Sequence, residues 1–123
     1  MAKKNSSERY NNADSWREIA RYLGQAIHVA RVRRRITQEQ LALELGRLLR
    51  LEIRQSYISK IEKGHSHPSL ERLGVICIAI GCPPDRLMAI ARYLAENDGR
   101  TVDALLKEIL PDGAPGRATV DSI

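Results

Sequence analysis

Gln55, Ser56, Ser59 and Lys60 recur at spacings that put their hydrogen-bonding side chains along one face of a short helix, with Ile58 and Ile61 opposite. Gln pairs bidentately with adenine, Lys donates to guanine and Ser is permissive, so this edge has the chemistry of base readout in the major groove of DNA. Tyr57 lies beside the edge, within reach of a sugar-phosphate or a thymine methyl. Thr37 and Gln40 form a capping box, which places Gln38 in the first turn of the preceding helix. Free backbone N–H groups and the positive end of the helix dipole receive a phosphate oxygen well there. An ordinary solvated face would use the same side-chain types.

Competing chemistries find little support. There is no cluster of carboxylates for two metals, no nucleophile beside a plausible base and no glycine-rich phosphate loop, so an enzyme is not expected. His65 and His67 flank Ser66 but supply only two ligands. Cys77 and Cys82 stand five residues apart in an apolar run, a poor metal spacing, and read as buried, reduced core thiols. Neither a metal nor a cofactor is expected.

The 123 residues suffice for one core, with little room for an appended ligand-binding or catalytic domain. Apolar residues make up 43%, with one Trp, four Tyr and no Phe, so a core of Leu, Ile, Val and Ala is expected, a mix suited to helices. Net charge is +5, and the excess is central: residues 15–95 carry fourteen Lys/Arg against seven Asp/Glu, while residues 96–123 carry three against six. A polyanionic partner fits that distribution, although an inert basic surface would show it too. No run of eighteen apolar residues appears, and the polar start is unlike a secretory signal, so a soluble, intracellular protein without membrane contact is expected.

The elements that must hold the polar edge follow from periodicity and caps. Residues 1–13 read as a disordered arm. Ser15 with Glu18 forms a capping box for a first helix ending near Arg34, with Ile19, Leu23, Ala26, Ile27 and Ala30 inward. A second helix starts at Thr37 with Leu41, Leu45, Leu48 and Leu49, weakened by about 1 kcal/mol at Gly46. The third covers Gln55 to Lys63 and ends at Gly64. The fourth opens at Pro68-Ser69 with Leu70, Leu73, Ile76, Cys77 and Ile80 as its apolar face, and ends at Gly81. The fifth begins at Pro83-Pro84-Asp85 with Leu87, Met88, Ala91 and Leu94. After an Asn97-Asp98-Gly99 turn, Thr101 caps a short sixth helix with Val102, Leu105, Leu106 and Ile109. The expected divisions are thus an arm over 1–13, a DNA-binding domain over 14–96, a helix over 97–110 and a disordered tail over 111–123.

Four blocks in order carry a family resemblance. Ile36-Thr37-Gln38-Glu39-Gln40-Leu41-Ala42 resembles the opening of helix two in the Cro/C1-type, or XRE-like, helix-turn-helix family, and Ser56 to Gly64 resembles its recognition helix. Pro68 to Leu73 and Ala79 to Leu87 are similar to the family's fourth and fifth helix openings. The resemblance covers about residues 24–91. It implies an all-α fold: a compact five-helix, lambda-repressor-like DNA-binding domain, here with a short sixth helix. It implies a transcriptional regulator, foremost a repressor, of cytoplasmic, prokaryotic, phage or plasmid setting, binding double-stranded DNA; a homodimer on a palindromic operator is expected because one such domain covers too little DNA for strong specificity. An antitoxin or restriction-modification controller with a protein partner is the alternative.

By this resemblance, Gln55, Ser56, Ser59 and Lys60 contact bases. Thr37, Gln38, Tyr57, Arg54, Lys63, His65 and Ser66 contact the DNA backbone, and Arg31 and Glu62 form a structural ion pair. Arg33, Arg34 and Arg35 either steer DNA or are simply solvated. Leu87, Leu94, Val102, Leu105, Leu106 and Ile109 serve either a dimer surface or the monomer core.

The sequence departs from the family in one place. Nine residues separate Gly46 from Ser56, about six more than the pattern, and Arg47-Leu48-Leu49-Arg50-Leu51-Glu52 intervene. The leucine stripe favours extension of helix two, by about 9 Å, over an open loop. Arg54 stands at the usual Ser/Thr cap position, and Arg47, Arg50 and Arg54 become candidates for added phosphate contacts.

Overall fold

The computed structural model describes residues 12–110, and the expectations for 1–11 and 111–123 fall outside them. Six helices follow one another: α1 Ala13–Arg33, α2 Gln38–Leu49, α3 Gln55–Glu62, α4 Leu70–Ile80, α5 Pro84–Glu96 and α6 Asp103–Ile109. No strand occurs among the described residues, so the fold is all-α as expected.

The caps explain most boundaries. Thr37 and Gln40 make the full capping box at α2, with Gln40 N–H on Thr37 Oγ1 at 3.0 Å and Thr37 N–H on Gln40 Oε1 at 2.8 Å. Ser69 Oγ accepts from Arg72 N–H at α4. Pro84 occupies the first turn of α5, where a missing N–H costs nothing. Two expected caps are displaced. Asn12 caps α1, taking the N–H of Ser15 at 2.9 Å, so the helix begins two residues before Ser15 and includes the end of the expected arm. Val102 precedes α6 with no side-chain cap, so Thr101 does not fill that role.

The core gathers Ile27 and Ala30 of α1, Leu41 and Leu45 of α2, Ile58 and Ile61 of α3, Ile76 and Ile80 of α4, and Leu87, Ile90 and Leu94 of α5. Leu70 is 86% exposed despite its place in the expected apolar face. The buried face of α4 is centred on Ile76 and Ile80, and Leu70 lies at its margin in the first turn, beyond the core. Of the candidate dimer side chains, Leu87, Leu94 and Leu106 are buried within the monomer, and Leu110 closes the core beside them. Leu106 and Leu110 seat α6 against the bundle, so neither they nor the α5 leucines form an outer surface.

The segment after Gly46 divides. Residues 47–49 continue α2, then Arg50 turns left-handed with φ 57° and caps the helix, and residues 51–54 form a loop. Leu51 N–H bonds to Gly46 O at 3.0 Å, and a Cβ on Gly46 would lie 2.6 Å from Leu51 O. The glycine that looked like a weak point in the helix is what lets the chain fold back so closely. The leucine stripe overstated the extension because Leu48 and Leu49 are only half-buried.

Candidate nucleic-acid interface

Ile58 and Ile61 are each 1% exposed, while Gln55, Ser56 and Lys60 are exposed and Ser59 is half-buried. Burial of each isoleucine contributes roughly 1.5–3 kcal/mol, which fixes the roll of α3 and turns its polar edge outward. Arg54 stands just before the helix with extended backbone (φ −93°, ψ 152°) and makes no side-chain cap, so α3 still begins at Gln55.

Glu62, at the last turn of α3, is the hub that ties this helix to the scaffold. Its side chain is 5% exposed. Arg31 Nε donates to Oε2 at 2.7 Å and Arg31 Nη2 to Oε1 at 3.0 Å, a two-pronged pair. Arg31 Nη1 continues to Ile36 O at 2.7 Å, so the guanidinium also fastens the turn between α1 and α2. Gln38 Nε2 reaches Glu62 Oε1 at 3.0 Å, and His28 Nδ1 lies 2.8 Å from the same oxygen. Burial acts to raise the Glu62 pKa, but hydrogen bonds from Arg31, Gln38 and His28, with the Arg31 charge, outweigh it and hold the carboxyl below its usual range. The Arg31–Glu62 pair implied by the resemblance is thus present in the structure. His28 went unnoticed in the sequence, although it stands one turn before Arg31 on the same helix.

Gln38 is more than a first-turn side chain. Its Nε2 donates to Glu62 while its Oε1 accepts from Gln55 Nε2. A continuous chain therefore runs Arg31–Glu62–Gln38–Gln55, from the buried pair to the exposed edge. Each amide keeps an unused N–H, and Gln55 keeps its Oε1 lone pairs, so both retain groups for a ligand. Thr37 has its backbone N–H and hydroxyl lone pair occupied in the capping box, leaving the hydroxyl proton to donate.

Beyond the C-terminus of α3, Lys63 and His65 are exposed and Ser66 is half-buried. His65 N–H closes on Lys60 O at 2.9 Å. The arginine cluster after α1 divides differently from either expectation. Arg33 Nε donates to Leu110 O at 3.1 Å, at the end of α6, and Arg34 Nη2 donates to Gly81 O at 2.9 Å, at the end of α4. Both guanidinia serve carbonyls at helix C-termini, where positive charge is favoured. Arg72 was not foreseen at all. Its guanidinium lies 5.2 Å above the Tyr57 ring, beside the polar edge of α3. No spacing in the sequence connects positions 57 and 72. Cys77 and Cys82 are free and buried, and burial pushes both thiols up to about 11.

The second helix of a tight pair, anchored by isoleucines and presenting polar side chains outward, defines a helix-turn-helix. A family model described as helix-turn-helix matches residues 27–87, and that segment is a helix-turn-helix domain of the Cro/C1 type. The protein is accordingly a DNA-binding regulator of the XRE type. No curated protein and no solved structure matches the chain. Among the described residues, no single helix is long and apolar enough to cross a membrane.

Proposed function

We propose that this protein is a transcriptional repressor that occupies a palindromic operator as a homodimer, with α3 of each copy in the major groove. Gln55, Ser56, Ser59 and Lys60 meet base edges. Gln38, Thr37, Tyr57, Arg54, Lys63, His65 and Ser66 meet the sugar-phosphate backbone. The observation that carries this reading is the side-chain chain Arg31–Glu62–Gln38–Gln55, which fixes an exposed glutamine at the start of an outward-facing polar edge. A hydrogen-bonding group held in place before binding loses less entropy on reading a base than one free to rotate. Dimerisation follows from the small footprint of one α3, since two half-sites supply the discrimination a single one lacks.

The test is selection of binding sites from a random duplex pool with the full chain. The expected outcome is an enriched inverted repeat whose half-sites lie about one helical turn, or a multiple of it, apart. Affinity should fall steeply between about 50 and 200 mM salt as counterions are released. A pool that shows no enrichment, with weak binding indifferent to salt, would overturn the proposal.

A further inference from the structure

The flank of α3 away from the N-terminus of α2 carries a basic groove. It lies between the 51–54 loop, α3 and the start of α4, and Arg54, Lys60, Arg72 and Tyr57 line it. Glu52 is the one carboxylate among its lining residues. That carboxylate is 3.9 Å from Arg54 with both side chains more than four-fifths exposed, a solvated pair of little worth. Neither Lys60 nor Arg72 is paired with a carboxylate among the described residues. The groove therefore holds three cations against one anion. The cation–π contact with Tyr57 restricts the Arg72 side chain while leaving guanidinium N–H donors available for a ligand.

The helix and the DNA groove match in width. A helix with its side chains is about 10–12 Å across and the major groove is about 12 Å wide. A helix seated there faces one phosphate strand on each flank. The N-terminus of α2, with Gln38, stands on one flank of α3. The fold-back of Leu51 on Gly46 brings Arg54 to the other, beside Arg72.

We propose that Arg72, with Arg54, binds a DNA backbone phosphate on the strand opposite the one received by the N-terminus of α2, beside the base edge that Lys60 meets. The inference rests on the reading that α3 lies in the major groove. Arg72 contributes affinity and not sequence preference, because a phosphate is the same at every step.

The experiment compares the full chain with Arg72→Gln and Arg72→Lys on selected and unrelated duplexes over a salt series, with thermal melts to check folding. Arg72→Gln should bind every duplex roughly five- to tenfold more weakly, with a log K against log salt slope shallower by about 0.9 and an unchanged selected sequence. Arg72→Lys should restore most of the slope. Single uncharged methylphosphonate linkages, scanned along each strand, should weaken the wild-type protein on both strands. Arg72→Gln should lose its sensitivity at one linkage of the far strand. Wild-type affinity and slope in Arg72→Gln would overturn the proposal, as would weakened binding with every linkage still sensitive. Should Arg72→Gln fail to fold, the wild-type scan and Arg72→Lys decide: sensitive linkages confined to one strand, or a slope in Arg72→Lys as shallow as one lost contact requires, overturn it. Failure of the wild-type protein to bind any duplex at low salt would instead sink the DNA reading itself.

Discussion

Gln55 donates its side-chain amide to Gln38 Oε1, joining the first residue of the recognition helix to the first residue of the helix before it. Gln38 is held in turn by Glu62, at the last residue of that same recognition helix. The two ends of α3 are thus linked through one side chain of α2. The consequence is a coupled effect on DNA binding. Gln38→Ala and Gln55→Ala should each weaken specific binding by about 1–2 kcal/mol, and the double variant by clearly less than the sum. A double-mutant cycle on the selected operator measures this, and strict additivity would show that the contact plays no part in readout.

Glu62 makes stability depend on acid. Its folded pKa is lowered, so its contribution is complete above the ordinary unfolded value and is lost as pH falls through the lowered folded value. Urea unfolding between pH 7 and pH 3 should show this loss in the wild type and a flatter profile in Glu62→Gln. At pH 7, Glu62→Ala should cost about 3 kcal/mol, because it strands Arg31, a residue only 8% exposed, without its counter-charge.

Gly24 is where α1 crosses the end of α3. A Cβ there would lie 2.1 Å from Ile61 O and 3.0 Å from Glu62 O, both backbone atoms. Gly24→Ala should therefore destabilise by about 2 kcal/mol or more and push α3 off its seat. Melting temperature and DNA affinity should fall together. In most helices the same change stabilises by about 1 kcal/mol, so the sign of the shift is decisive.

The turn after α2 permits an opposite pair of outcomes. Gly46→Ala should destabilise, since its methyl would meet Leu51 O at 2.6 Å. Arg50→Gly should stabilise by about 1 kcal/mol by relieving a side chain held at φ 57°. Chemical denaturation of the two variants reads both signs.

Burial raises the Cys77 and Cys82 thiols to about 11, leaving little thiolate at neutral pH. Iodoacetamide should label neither in the folded protein at pH 7.5, and both rapidly once urea unfolds it. Mass spectrometry of the intact chain counts the adducts.

By itself, the sequence determined what depends on neighbours along the chain. The Thr37–Gln40 capping box, the Ser69 cap and the division of 55–61 into a polar edge and two buried isoleucines are all within one or two helical turns, where spacing alone decides who meets whom. The family resemblance added the Arg31–Glu62 pair. Only the tertiary structure decided the rest. It set the Arg72 cation over Tyr57, gave Arg33 and Arg34 to distant carbonyls, set Gln38 between Glu62 and Gln55, and turned the chain at Arg50 instead of prolonging α2. These relationships join residues far apart in the chain or hinge on a close backbone approach, and helical periodicity carries no information about which faces of different helices come together.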